Sequence, residues 1–75
     1  MLNRKSMKTY KNLYNDSSIK KYEYGDNYFK FSYENEVEWY TFNEKIGQYA
    51  INNLKRIANE GRGLDEYIRK LEAEL

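Results

Sequence analysis

The hydrophobic period of this sequence changes once, just after the midpoint of the chain, from two residues to about 3.6. Before the change, alternating side chains predict three strands, at residues 18–24, 28–33 and 37–42. Turn-forming residues separate these strands at 25–27 and 34–36. Because such short connections force neighbouring strands to run antiparallel, the first part of the chain is predicted to be a three-stranded antiparallel meander.

After the change, apolar residues recur at helical spacing and predict two helices. The stripe of the first helix comprises Ile46, Tyr49, Ala50, Leu54, Ile57 and Ala58, and that of the second comprises Leu64, Ile68, Leu71 and Leu75. Thr41 or Asn43 can cap the first helix, and Gly61 and Gly63 can end it. The predicted fold class is therefore α+β, a three-stranded antiparallel meander followed by two helices packed on one sheet face.

The first sixteen residues are polar, basic and weakly patterned. The apolar side chains that would share one helix face there are Met7, Tyr10, Leu13 and Tyr14. This segment is interpreted as either a short helix or a flexible arm. Because no internal repeat or linker divides the rest, the expected organisation is an arm at residues 1–16 and one α+β domain at residues 17–75.

The chain has 75 residues and contains neither cysteine nor histidine. A domain this small buries only about 60–65% of the surface that its unfolded chain exposes, so oligomerisation or a ligand is expected to add stability. The missing residue types remove the commonest general base, the thiol nucleophile and the usual zinc ligands. Glu34, Glu36 and Glu38 fit a solvated edge or turn better than a glycosidase-like pair. The chain is therefore predicted not to be an enzyme and to need no cofactor.

No apolar run is long enough to span a membrane or to form the core of a signal peptide. The protein is therefore expected in the cytoplasm, without a membrane partner. Its charges are unevenly distributed, since bases predominate before residue 31 whereas the charged residues of 31–44 are all acidic. This pattern predicts a molecule with one basic side and one acidic side.

Several short motifs follow one another after residue 16. They are Ser17-Ser18-Ile19, Tyr24, Phe29-Phe31-Tyr33, Gly61-Arg62-Gly63-Leu64 and Tyr67-Ile68-Arg69. On these residues the chain resembles the KTSC domain family, a small module found at the end of some lysyl-tRNA synthetases and as a stand-alone protein of bacteria and phages. Trp39-Tyr40-Thr41 stands where the family has Tyr-x-Tyr, and the family's proline before the first helix is absent. The resemblance implies a compact strand-and-helix domain, and RNA binding has been suggested for the family.

One candidate binding surface is the side of the sheet away from the helices. If Tyr22, Tyr24, Phe29, Phe31 and Trp39 face the helices, the side chains that face outward are Tyr28, Tyr40, Phe42, Lys21 and Lys30. Aromatic rings between lysines on an open sheet stack the bases of single-stranded nucleic acid or of a nucleotide. Alternatively, the N-terminal segment or a second copy of the chain covers this face.

A second candidate is the glycine-containing turn before the last helix. The backbone freedom of Gly61 and Gly63 and the amides of the following helix favour phosphate, which Arg62 can bind in bidentate fashion. The alternatives are a plain helix–helix turn and, for Arg69, an ion pair with Asp65. The six predicted ligand-binding residues are Tyr28, Lys30, Trp39, Tyr40, Arg62 and Arg69.

These features predict a small non-enzymatic protein that binds a nucleotide or nucleic acid through an aromatic and basic surface. The alternative is a phage-type anti-defence protein, which inhibits a host immune system by binding a host protein or by sequestering a signal nucleotide. A homo-oligomer is compatible with either function.

Overall fold

The computed structural model describes residues 8–33 and 38–74. It contains a four-stranded antiparallel sheet whose strands follow chain order: β1 (Lys8–Thr9), β2 (Ile19–Tyr24), β3 (Phe29–Tyr33) and β4 (Tyr40–Phe42). A 3₁₀ helix, Glu44–Ile46, leads into α1 (Gln48–Glu60), and α2 (Leu64–Glu74) follows. The predicted α+β class is confirmed, with four strands instead of three. The predicted turn at 34–36, Val37 and Leu75 lie outside the described residues.

The additional strand comes from the N-terminal segment. Lys8 pairs with Tyr22, and the Tyr10 amide then donates to the Lys20 carbonyl at 2.9 Å. The Tyr10 side chain is buried in the core. From Lys8 to Tyr10 the chain is therefore part of the sheet and the core, where the sequence pattern suggests a short helix or a loose arm. A strand of two residues is too short to show alternation, and residues 1–7 lie outside the described part of the chain.

The two faces of the sheet differ because the helices cover only one of them. Tyr22, Phe29 and Phe31 point to the helices and are at most 5% exposed. The helices fill the same core with Ala50, Ile51, Leu54 and Ala58 from α1 and with Leu64, Ile68 and Leu71 from α2. Full burial of a side chain such as Leu or Phe is worth about 1.5–3 kcal/mol, so this layer is the main source of stability.

The predicted cap Asn43 precedes the 3₁₀ helix and the predicted Gly61 ends α1, but α1 itself begins only after Gly47. One residue of the predicted stripe lies outside the core. The Asn43 side chain accepts a hydrogen bond from a backbone amide of the 3₁₀ helix at 3.0 Å, and Gly61 ends α1 with a left-handed φ of 83°. Tyr49 is 81% exposed, since a rotation of about 100° per residue puts it on nearly the opposite side of α1 from the buried Ile51. No helix in the described part of the chain is long and apolar enough to cross a membrane.

A buried hydrogen bond connects the N-terminal segment to the start of α2. The Leu64 amide, the first of the helix, donates to the Tyr10 hydroxyl at 3.2 Å. Tyr10→Phe leaves this amide without its partner, and we expect the free energy of unfolding to fall by about 1–3 kcal/mol. Urea denaturation checks the value, with Tyr14→Phe as the control because Tyr14 is 61% exposed. Equal stability of the two variants would contradict the role given to this bond.

Candidate functional site

The sheet face away from the helices is termed the outer face. Its members include Lys21, Glu23, Tyr28, Lys30, Trp39, Thr41 and the buried Ser32. Glu23 pairs across the sheet with Lys30, and Lys30 pairs with Thr41, so these side chains share a face. They alternate along the strands with the buried Phe29 and Phe31, which point to the helices.

Glu23 organises the outer face. Its Oε2 accepts a hydrogen bond from the Tyr28 hydroxyl at 2.9 Å and lies 3.8 Å from the Lys30 Nζ. The Glu23 side chain is 12% exposed and that of Lys30 is 30% exposed. A surface ion pair contributes at most about 1 kcal/mol, so its main consequence is positional: it holds the Lys30 ammonium in place. The sequence pattern does not indicate this role of Glu23, because its partner across the sheet is defined only by the strand register.

The Trp39 ring and the Lys30 ammonium form a cation–π pair. The Lys30 Nζ lies 5.1 Å from the ring centroid, and a ring attracts a cation within about 6 Å. Trp39 is half-buried. A β-bulge sets Lys20 and Lys21 opposite a single residue of β3, and both lysines are exposed. The outer face therefore combines an aromatic platform with lysines on two neighbouring strands.

Close packing against Gly25 holds Tyr28 at the edge of the outer face. A Cβ at Gly25 would lie 2.3 Å from the Tyr28 Cε1, which is a steric clash. The Gly25 amide also donates to the Tyr28 carbonyl at 3.1 Å. The sequence identifies Gly25 only as a turn residue, and the structure adds that its missing side chain makes room for the Tyr28 ring.

Tyr40 was predicted to face outward and Trp39 to face the helices, and the structure reverses the two. The register of β4 sets Tyr40 opposite Phe31 and Phe42 opposite Phe29, so both aromatic residues of β4 face the helical side. The Tyr40 ring centroid lies 5.6 Å from that of Phe31. Trp39 consequently belongs to the outer face and Tyr40 does not. The predicted alternation was right but its phase was wrong, since a shift of one residue moves every side chain to the other face.

Arg62 and Arg69 lie on the helical side of the molecule, away from the outer face. Arg62 is exposed in the turn between α1 and α2 and forms no ion pair with a described residue. Arg69 borders a cavity of about 160 Å³. The acidic residues around that cavity are Asp16, Asp65 and Glu66. Asp65 accepts a hydrogen bond from the Ser17 hydroxyl instead of pairing with Arg69. Carboxylates beside the arginine disfavour phosphate there.

A further concave region lies between α1 and α2. It consists of two cavities, of about 330 Å³ and 350 Å³, that share Tyr67 and Lys70. The Tyr67 hydroxyl accepts a hydrogen bond from the Asn53 Nδ2 at 3.2 Å. The lining mixes apolar, aromatic, acidic and basic side chains, so it does not select a ligand class. Of the six predicted site residues, the structure thus brings together Tyr28, Lys30 and Trp39.

The fold and the outer face define a class of small α+β domain: an antiparallel meander with two helices on one side and an aromatic, lysine-bearing surface on the other. No family model matches the chain, and no curated protein or solved structure matches it either. The resemblance to the KTSC family therefore stays a prediction from the sequence motifs. Function depends on the residues of the site, since one fold can host many functions.

Proposed function

We propose that this protein is a non-enzymatic binding protein that holds single-stranded nucleic acid on the outer face of its sheet. The observation that carries the proposal is the Lys30 ammonium, held 5.1 Å from the centre of the Trp39 ring on a face that neither helix covers. An aromatic ring binds a base by stacking, and an adjacent ammonium binds a backbone phosphate. The outer face offers both groups, with the ammonium over one face of the ring, so a base would stack on the other face.

The charges of the outer face favour a polyanion. Lys21 and Lys30 stand on neighbouring strands, and Lys20 is exposed at the bulge. The Glu23 carboxylate accepts a hydrogen bond from the Tyr28 hydroxyl and lies beside the Lys30 ammonium, so its negative charge is partly neutralised. A phosphate that approaches this face is therefore attracted by the lysines more than it is repelled by the carboxylate.

The surface suits an unpaired strand better than a duplex. Stacking on Trp39 requires a base whose face is free, and a base inside a duplex does not offer one. The lysines interact with phosphates, which are the same at every nucleotide. Binding is therefore expected to depend weakly on sequence and strongly on salt.

Salt dependence tests the electrostatic part of this proposal. If Lys21 and Lys30 each neutralise one phosphate, the logarithm of the affinity for a single-stranded oligonucleotide falls against the logarithm of salt concentration with a slope of about −1.4. Raising the salt concentration from about 50 mM to about 200 mM then weakens binding about sevenfold. Fluorescence anisotropy of a labelled oligonucleotide of about ten nucleotides measures the change.

A matched pair of lysine variants assigns the slope to the outer face. Lys30→Gln is expected to reduce the slope to about −0.7, because one counterion fewer is released. Lys70→Gln is the control, since Lys70 is an exposed lysine on α2, and it is expected to keep the slope of the unmodified protein. A slope near zero for the unmodified protein, or an unchanged slope in Lys30→Gln, would rule out binding through this face.

A further inference from the structure

Four side chains from three elements converge at the other side of the sheet, beside α1. They are termed the Tyr24 cluster and comprise Tyr24 of β2, Lys8 of β1, and Lys55 and Asn59 of α1. The Nζ atoms of Lys8 and Lys55 lie 5.2 Å and 5.4 Å from the centroid of the Tyr24 ring. The Tyr24 hydroxyl oxygen accepts hydrogen bonds from the Asn59 Nδ2 at 3.0 Å and from the Lys8 Nζ at 3.5 Å.

Hydrogen bonds outside the cluster hold its donors in position. The Tyr22 hydroxyl donates to the Asn59 Oδ1 at 2.9 Å, which turns the amide nitrogen of Asn59 toward Tyr24. Tyr22 is 5% exposed, so this orientation is set inside the core. The Lys55 Nζ donates to the Asp26 carbonyl at 3.3 Å, in the turn between β2 and β3. The cluster is therefore anchored by the sheet, by the helix and by a turn.

Hydrogen-bond donors in the Tyr24 cluster outnumber acceptors. Among the described residues, no carboxylate lies within 4.0 Å of the ammonium of Lys8 or of Lys55. The Tyr24 oxygen receives two donors, and no described residue accepts the hydrogen of its own hydroxyl. Two ammonium groups beside one ring repel each other unless an anion lies between or beside them. Among the described residues, the cluster therefore presents two ammonium groups and a hydroxyl at an exposed position with no carboxylate beside them.

We propose that the Tyr24 cluster binds a phosphate group. A phosphate has several acceptor oxygens, so it can take hydrogen bonds from both ammonium groups and from the Tyr24 hydroxyl at the same time. Its negative charge also compensates the two lysines, which a neutral ligand does not do. The proposal is independent of nucleic-acid binding on the outer face, because Tyr24 pairs with the buried Phe29 and so lies on the helical side of the sheet.

The ionisation of Tyr24 supports this proposal and provides its readout. The hydrogen bond from Asn59 lowers the pKa of Tyr24 below its ordinary value. Burial opposes this shift, whereas the hydrogen bond and charge of Lys8 and the charge of Lys55 lower the pKa further. A bound phosphate counters the lysine charges and accepts the hydroxyl hydrogen. Phosphate is therefore expected to raise the pKa of Tyr24 relative to its value in chloride.

NMR of the tyrosine-labelled full chain tests the proposal, with the Tyr24 resonance assigned by comparison with Tyr24→Phe. Inorganic phosphate is titrated against chloride at constant ionic strength. We expect saturable shifts of the Tyr24 resonance, and we expect Lys8→Gln and Lys55→Gln each to weaken phosphate binding about tenfold. Lys45→Gln, which alters an exposed lysine of the 3₁₀ helix, is the control and is expected to bind phosphate normally.

Two outcomes overturn the proposal. A Tyr24 resonance that responds to phosphate no more than to chloride overturns it, and so does equal phosphate binding by Lys8→Gln, Lys55→Gln and Lys45→Gln. Preserved binding in Trp39→Ala supports a site separate from the outer face. Adenosine monophosphate is titrated alongside: affinity equal to that of inorganic phosphate supports a site for free phosphate, whereas higher affinity supports a site for the phosphate of a nucleotide.

Discussion

Trp39→Ala is expected to weaken the binding of a single-stranded oligonucleotide by about 5- to 150-fold, because stacking of a base on an aromatic side chain is worth about 1–3 kcal/mol. Truncation removes the platform and also the partner of the Lys30 ammonium, which lies 5.1 Å from the ring centroid. Trp39→Phe keeps a flat ring at the same position and is expected to retain an intermediate affinity. This order of affinities reflects stacking area and does not follow from charge alone.

Fluorescence anisotropy of a labelled oligonucleotide measures the affinity of every variant. Trp39 is the only tryptophan, so quenching of its fluorescence by an unlabelled oligonucleotide also reports on the outer face in the unmodified protein and in Tyr49→Ala. The matched control is Tyr49→Ala, which removes a ring that is 81% exposed on α1. Circular dichroism confirms that each variant is folded before its affinity is compared. If Trp39→Ala binds the oligonucleotide as tightly as Tyr49→Ala does, the outer face is not the binding surface.

Gly61→Ala is expected to lower the free energy of unfolding by about 2–5 kcal/mol. Left-handed backbone costs a residue with a side chain about 1–2 kcal/mol, and Gly61 has a φ of 83°. The new Cβ would also lie 2.7 Å from the Cβ of Lys11, and relief of such a contact costs about 1–3 kcal/mol. The segment around Lys11 cannot easily move away from the new Cβ, because the Leu13 amide donates a hydrogen bond to the Gly61 carbonyl at 2.7 Å.

Gly63→Ala separates the two contributions. Gly63 has the same φ of 83°, but its nearest neighbour would lie 4.0 Å from a new Cβ, which is ordinary van der Waals contact. This variant is therefore expected to lose only the conformational part, about 1–2 kcal/mol. Urea denaturation of both variants gives the difference between their losses in free energy of unfolding. Lys11→Gly in the Gly61→Ala background should recover part of that difference. Equal losses in Gly61→Ala and Gly63→Ala would show that the contact with Lys11 is without consequence.

The outer face shows where prediction from the sequence stops. Alternation correctly separates Trp39 from Tyr40 and Phe42, because neighbouring residues of a strand point to opposite faces. It cannot choose which set faces the helices, since both sets are aromatic and bury equally well. That choice depends on the register between β3 and β4, and the register sets Tyr40 opposite Phe31.

The hydrogen-bond partner of Tyr10 and the ion-pair partner of Glu23 were also not predicted by the hydrophobic pattern. Tyr10 accepts a hydrogen bond from the amide of Leu64, which lies 54 positions further along the chain. Glu23 acquires its role only when β2 and β3 bring Lys30 beside it. Leu64 lies far outside a local window of the sequence, whereas Lys30 is only seven positions from Glu23 and becomes its partner through the register of the hairpin.

The sequence by itself determined the order of β2, β3, β4 and the two helices, the caps at Asn43 and Gly61 and most of the apolar content of the core. These features depend on periodicity and on backbone preferences, which act over a few neighbouring residues. The tertiary structure alone decided that Trp39 joins Lys30 on the outer face and that Lys8 and Lys55 meet at Tyr24. The reason is that a surface combines side chains from different elements, and their meeting depends on strand register and helix packing.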